Sequence, residues 1–89
     1  MKHLAVFTLN TCPLCLQLKK KLRDNSIDFH DIEITKNREL WDDVLSQTGH
    51  DALPTVYIQT DEQGNGVVYT PGRDFQDLDE IMEIIKNNI

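Results

Sequence analysis

At 89 residues, 39% of them hydrophobic, the chain suffices for one compact core and not for two, so any site is expected on a single domain spanning residues 1–89. Fifteen acidic residues against nine basic ones leave a formal charge of -6, which repels phosphate backbones and anionic lipid surfaces and sets nucleic acid and membrane aside as partners. The apolar runs Leu4 to Leu9 and Val67 to Tyr69 are far below a bilayer span, and the start Met1-Lys2-His3 lacks the apolar stretch of a signal peptide, so a soluble cytoplasmic protein is expected.

Leu4-Ala5-Val6-Phe7-Thr8-Leu9 is short, apolar and flanked by polar residues, the pattern of a strand buried on both faces of a partly parallel sheet. Asn10-Thr11 follow, then Cys12-Pro13; proline suits the first helical position because the N–H it lacks would be unpaired there. A helix is therefore predicted from Cys12, with Leu14, Cys15, Leu18 and Leu22 at helical spacing and Asp24-Asn25-Ser26 ending it after about Arg23. Ile27 to Ile34 alternates imperfectly between apolar and polar and reads as an edge strand. Thr35 to Thr48 carries Leu40, Trp41, Val44 and Leu45 at helical spacing and stops before Gly49, a residue suited to a left-handed helix end. Thr55 to Ile58 and Val67 to Tyr69, either side of a polar stretch with Gly64-Asn65-Gly66, form a hairpin. A closing helix is predicted from near Asp74, capped by that carboxylate, with Asp77 in its first turn and Leu78, Ile81, Met82, Ile85 and Ile89 as its apolar stripe. This order, with right-handed crossovers, gives an α/β protein of the minimal thioredoxin fold: a four-stranded mixed sheet flanked by three helices.

Cys12-Pro13-Leu14-Cys15 stands where a strand hands over to a helix, among unpaired backbone N–H groups and at the positive end of the helix dipole. That setting favours negative charge on the first sulfur and makes Cys12 the attacking group. Cys15 lies three residues on along the helix, within reach of a mixed disulfide on Cys12 but facing further into the fold, so it resolves. A bond between them encloses too little chain to serve as a structural staple. Two other readings stand beside this one: small apolar core residues, or half of a zinc site completed by two of His3, His30 and His50. No second Cys-x-x-Cys or closely spaced histidine pair occurs, and no metal ligands are assigned. Lys19-Lys20-Lys21 reads as a solvated face spread around the helix, and the three histidines are scattered and given no proton-transfer role.

Three segments in order resemble the glutaredoxin family: Thr11 to Cys15, Leu53 to Ile58 before the hairpin, and Pro71 to Asp74 before the last helix. The resemblance spans nearly the whole chain and implies a small dithiol glutaredoxin of the thioredoxin superfamily, a redox-active CxxC protein in electron transport. It implies a cis peptide at Leu53-Pro54 beside Cys12, and a glutathione site formed by Thr11, Pro13, Leu14, Leu53, Pro54, Gly72, Arg73 and Asp74. Gly72 to Asp74 resembles the stretch that holds the glutamyl end of glutathione, and backbone N–H groups at the start of the last helix would suit a carboxylate. A glycine turn with an N-cap is the plainer reading of the same residues. Pro71 replaces the family's first glycine, Leu14 its tyrosine, and no lysine or arginine stands just upstream of Cys12. Trp41 occupies the place of a polar glutathione contact and reads as a core side chain.

By the same resemblance the protein needs no bound cofactor, uses glutathione as co-substrate, and acts as a monomer on disulfide-containing client proteins such as ribonucleotide reductase. One alternative is a redoxin recharged by thioredoxin reductase. Another, of a different class, is an iron-sulfur or zinc carrier ligating metal through Cys12 across a dimer, although Pro13 is unlike the family members that hold clusters. The connection Gln59 to Gly66 exceeds the family's short loop, and no function is assigned to it.

Overall fold

The computed structural model describes residues 3–88; Met1 and Lys2 lie outside it, as does Ile89, assigned above to the stripe of the closing helix. The elements are β1 (Leu4–Thr8), α1 (Pro13–Asp24), β2 (His30–Glu33), α2 (Arg38–Thr48), β3 (Thr55–Gln59), β4 (Gly66–Tyr69) and α3 (Leu78–Asn88). They form a mixed sheet in the order β2-β1-β3-β4, with β1 parallel to β2 and antiparallel to β3, and β3 antiparallel to β4.

Alternation along β1 sends side chains to two different cores. Leu4 and Val6, opposite Ile58 and Val56, meet Leu18 and Leu22 of α1 and Ile81 and Ile85 of α3. Phe7 points to the other face, where Trp41 and Val44 of α2 cover it, the Phe7 and Trp41 rings lying 5.5 Å apart. Trp41 is thus a core side chain, 7% exposed.

Three boundaries shift by more than one residue from those expected, each for a local reason. Ser26 takes a left-handed conformation (φ 57°), and the Ser26 and Ile27 N–H groups donate to Arg23 and Leu22 carbonyls, closing α1 in a Schellman turn. Ile27 is spent on that cap and packs on the core, so β2 begins only at His30. The turn Ile34–Lys36 and the N-cap Asn37 replace the helix start expected at Thr35, held by the Lys36 and Asn37 N–H groups and the Asn37 side chain, and α2 starts at Arg38; its end at Gly49, φ 71°, is as expected. The closing helix starts at Leu78 and not near Asp74. Asp77 caps it, its Oδ1 accepting from the Glu80 N–H at 2.9 Å, while Asp74 closes an earlier loop. The long β3–β4 connection is ordered by Asp61, whose Oδ1 accepts from the Gln63 and Asn65 N–H groups, both at 3.0 Å.

Candidate active site

The chain leaves β1 at Thr8, turns through Asn10-Thr11 and enters α1 at Pro13, which puts Cys12 at the N-cap in extended geometry (φ -91°, ψ 107°). The Cys12 N–H donates to the Leu9 carbonyl at 3.0 Å, fixing the turn, and the Cys12 carbonyl accepts the first helical bond from Leu16 at 3.2 Å. The Cys12 Sγ stands where an N-cap oxygen normally sits and accepts from the Cys15 N–H at 3.2 Å. No acidic side chain lies in the first turn of α1 to oppose charge there. Both cysteines are free thiols, Cys12 half-buried and Cys15 fully buried. Burial foremost, then the hydrogen bond and charge of Cys12, push the Cys15 thiol up to about 12, with Leu9 and Lys19 pulling the other way. The arrangement pairs an accessible sulfur with a reluctant one behind it.

Around the dithiol, Thr11, Pro13 and Leu14 are exposed, Leu14 to 50%. The Leu53-Pro54 peptide is cis, as the resemblance implies. Pro54 is buried just ahead of β3, and Leu53 packs with the α2 core. Leu14 and Pro54, distant in sequence, line one groove of about 420 Å³ with Pro71 and Phe75, and Lys21 stands on its wall.

The Gly72-Arg73-Asp74 segment departs from the helix start expected of it. Gly72 adopts φ 86°, and its N–H donates to the Phe75 carbonyl at 2.8 Å, making a closed loop ahead of α3. Asp74 Oδ2 accepts from the Thr70 N–H and from Arg73, each at 2.8 Å, and Arg73 also donates to the Val68 carbonyl at 2.9 Å. Partial burial works against the Asp74 carboxylate, yet Arg73 and the Thr70 N–H, helped by His50, hold it below the usual carboxylate range. Of the α3 N–H groups invoked for a carboxylate, that of Glu80 is taken by Asp77, beyond this loop. Lys21 faces Asp79 across the groove at 3.9 Å.

Two features were not foreseen. Lys19 is set apart from its neighbours: it is only 13% exposed and lies 2.9 Å from Asp31, whereas Lys20 is 76% exposed. His3 and His30, read as scattered, meet across β1 and β2 with ring centroids 6.1 Å apart. Among the described residues, no group of three or more His, Cys, Asp and Glu side chains is placed to hold a metal ion.

A family model described as Glutaredoxin matches residues 4–62. Glutaredoxin 3 of Escherichia coli strain K12 is 23% identical over 64 residues, which cover 72% of this chain and 77% of that protein. Among solved structures, glutaredoxin C1 from Populus tremula x tremuloides superposes with a TM-score of 0.60 at 19% identity, over 96% of this chain and 75% of that one. A thioredoxin from Malassezia sympodialis does so with a TM-score of 0.65 at 12% identity, over 98% and 76% of the two chains. These likenesses show the thioredoxin fold.

Proposed function

The chain belongs to the glutaredoxin family, and on that premise we propose that it is a thiol-disulfide oxidoreductase in which Cys12 attacks and Cys15 resolves. The observation that carries the reading is the Cys12 sulfur at the α1 N-cap, accepting the Cys15 N–H. A Cys12 thiolate attacks one sulfur of a disulfide, forms a mixed disulfide and expels the other sulfur as thiolate. The Cys15 thiolate then attacks the Cys12 sulfur, forms the Cys12–Cys15 disulfide and releases the second client sulfur, so that two electrons pass to the client. Two molecules of glutathione restore the dithiol and leave as glutathione disulfide. The sulfurs carry all the electrons, and no bound cofactor takes part.

Glutathione as co-substrate follows the family; on this reading its peptide part lies along Leu53, Pro54, Thr11, Pro13 and Leu14, and its glutamyl end at Gly72 to Asp74. Clients are disulfide proteins docking at Leu14 and Pro54, with ribonucleotide reductase as the class example, and the setting is cytoplasmic. No helix among the described residues is long and apolar enough to cross a membrane.

One observation favours a second reading, recharge by thioredoxin reductase. The groove is lined by one cation, Lys21, against the carboxylates of Asp77 and Asp79, and Arg73 is paired with Asp74 at 2.8 Å, which leaves little net positive charge for the carboxylates of glutathione. Turnover with glutathione and glutathione reductase, measured against turnover with thioredoxin reductase, separates the two. Activity with neither reductant, together with bound metal after anaerobic purification, would replace both with the carrier alternative.

A further inference from the structure

The resolving step asks for negative charge on a sulfur buried as deeply as any side chain among the described residues. During that step the Cys12 sulfur is tied up in the mixed disulfide, so it no longer offers a competing charge or hydrogen bond. Burial of Cys15 then remains as the obstacle, and the cation one turn further along the same helix is Lys19.

Lys19 follows Cys15 by four positions on α1, which puts the two on one helix face with Cβ atoms about 5–6 Å apart. Helical side chains lean toward the N-terminus, so the Lys19 stem lies over the turn that holds Cys15. The ammonium is fixed from the sheet. Asp31 Oδ2 of β2 lies 2.9 Å from Lys19 Nζ, and Asp31 Oδ1 accepts from the Thr8 hydroxyl of β1 at 2.6 Å. Thr8 is buried at 1% exposure, which anchors the chain of contacts in the core. The Lys19 side chain, 13% exposed, is thereby denied the solvated position that Lys20 takes. Arg23, a further turn along α1, adds its charge on the Asp31 side.

We propose that Lys19 is a positioning residue for resolution, its ammonium held by Asp31 and Thr8 so that it stabilises the Cys15 thiolate as that sulfur attacks the mixed disulfide on Cys12. The inference rests on the dithiol reading above. It gives the Thr8–Asp31–Lys19 chain of contacts a role in the second half-reaction and none in the first.

The test follows the two half-reactions separately with dithiobis-nitrobenzoate, a symmetric aromatic disulfide. Cys12 attack releases one coloured thiolate and leaves the other on Cys12; Cys15 attack then releases the second. In stopped flow across about pH 6 to 10, wild-type protein shows two phases of equal amplitude, and the second reports the Cys15 thiolate. Lys19→Gln should displace the rising limb of the second phase's pH profile to higher pH, seen as a slower second phase at each pH in this range. A tenfold loss of thiolate is offset about threefold by the greater nucleophilicity of a more basic sulfur, so the net slowing along the limb is about threefold, while the first phase is unchanged. Lys19→Arg should restore the wild-type profile, and Lys19→Met, which retains the apolar stem, repeats the test if Gln disturbs the fold.

A second phase not slowed in Lys19→Gln and Lys19→Met would overturn the proposal, and so would a slowing that the first phase shares or that Lys19→Arg fails to relieve, which is the mark of a structural role. A wild-type protein that releases only one equivalent of coloured thiolate would instead overturn the dithiol reading itself.

Discussion

The Cys15 N–H donates to the Cys12 sulfur at 3.2 Å, so the first thiol is held by the backbone of the second. One cysteine is half-buried at a helix start, and the other is fully enclosed with its thiol pushed up to about 12. Alkylation should therefore distinguish them: iodoacetamide at pH 7 should modify Cys12 and leave Cys15 essentially untouched. Peptide mass spectrometry of the reduced protein reads this directly. Equal labelling of the two would remove the basis for their separate roles.

Trp41 closes the α2 side of the sheet against Phe7 and does not line the groove that holds Leu14 and Pro54. Trp41→Ala should cost about 3–5 kcal/mol, read as a lowered urea midpoint, because it empties a core position of its largest side chain. Trp41→Phe should recover most of that loss. If Trp41→Ala left stability intact and raised the glutathione requirement, Trp41 would be a substrate contact and the core assignment would fall.

The dithiol site was legible in the sequence because its parts are local. Pro13 marks the helix start, Gly49 the end of α2, and the apolar spacings of Leu18 and Leu22 or Ile81 and Ile85 report the face turned to the core. What escaped depends on partners distant in the chain. Asp74 and Asp77 are equally good caps on paper, and the choice between them is made by Thr70 and Arg73, which draw Asp74 into the loop before the helix. Three consecutive lysines likewise look alike until Asp31, one strand away, selects Lys19. His3 and His30 meet only because β1 and β2 pair in parallel register, Ala5 opposite His30.

Asp74 gives a pH signature. Its folded-state carboxyl lies below the usual value, so the stability it contributes is fully present above the unfolded value of about 3.9 and is lost as pH falls through the folded one. Asp74→Asn should lower the melting temperature at pH 7, and its difference from wild type should shrink as the solution is acidified below about pH 4. Melting curves from neutral to acid pH provide the check. A difference independent of pH would assign the effect to hydrogen bonding and not to charge.

The sharpest prediction separates the two sulfurs by role. Cys12→Ser should reduce every exchange reaction to background, because Cys15 is buried and unable to make the first mixed disulfide. Cys15→Ser should keep its activity on a glutathionylated peptide, since a second glutathione can attack the mixed disulfide on Cys12, and should lose most reduction of protein disulfides that need an internal resolving thiol. Serine nearly matches cysteine in size, and the thiols are unlinked in the reduced fold, so both variants should keep the wild-type circular dichroism spectrum. A paired assay of each variant on the glutathionylated peptide and on a protein disulfide makes the comparison. Substantial glutathione-dependent turnover by Cys12→Ser would end its assignment as nucleophile. Failure of Cys15→Ser on both substrates, with the fold intact, would show that glutathione cannot reach the mixed disulfide and would favour recharge by thioredoxin reductase.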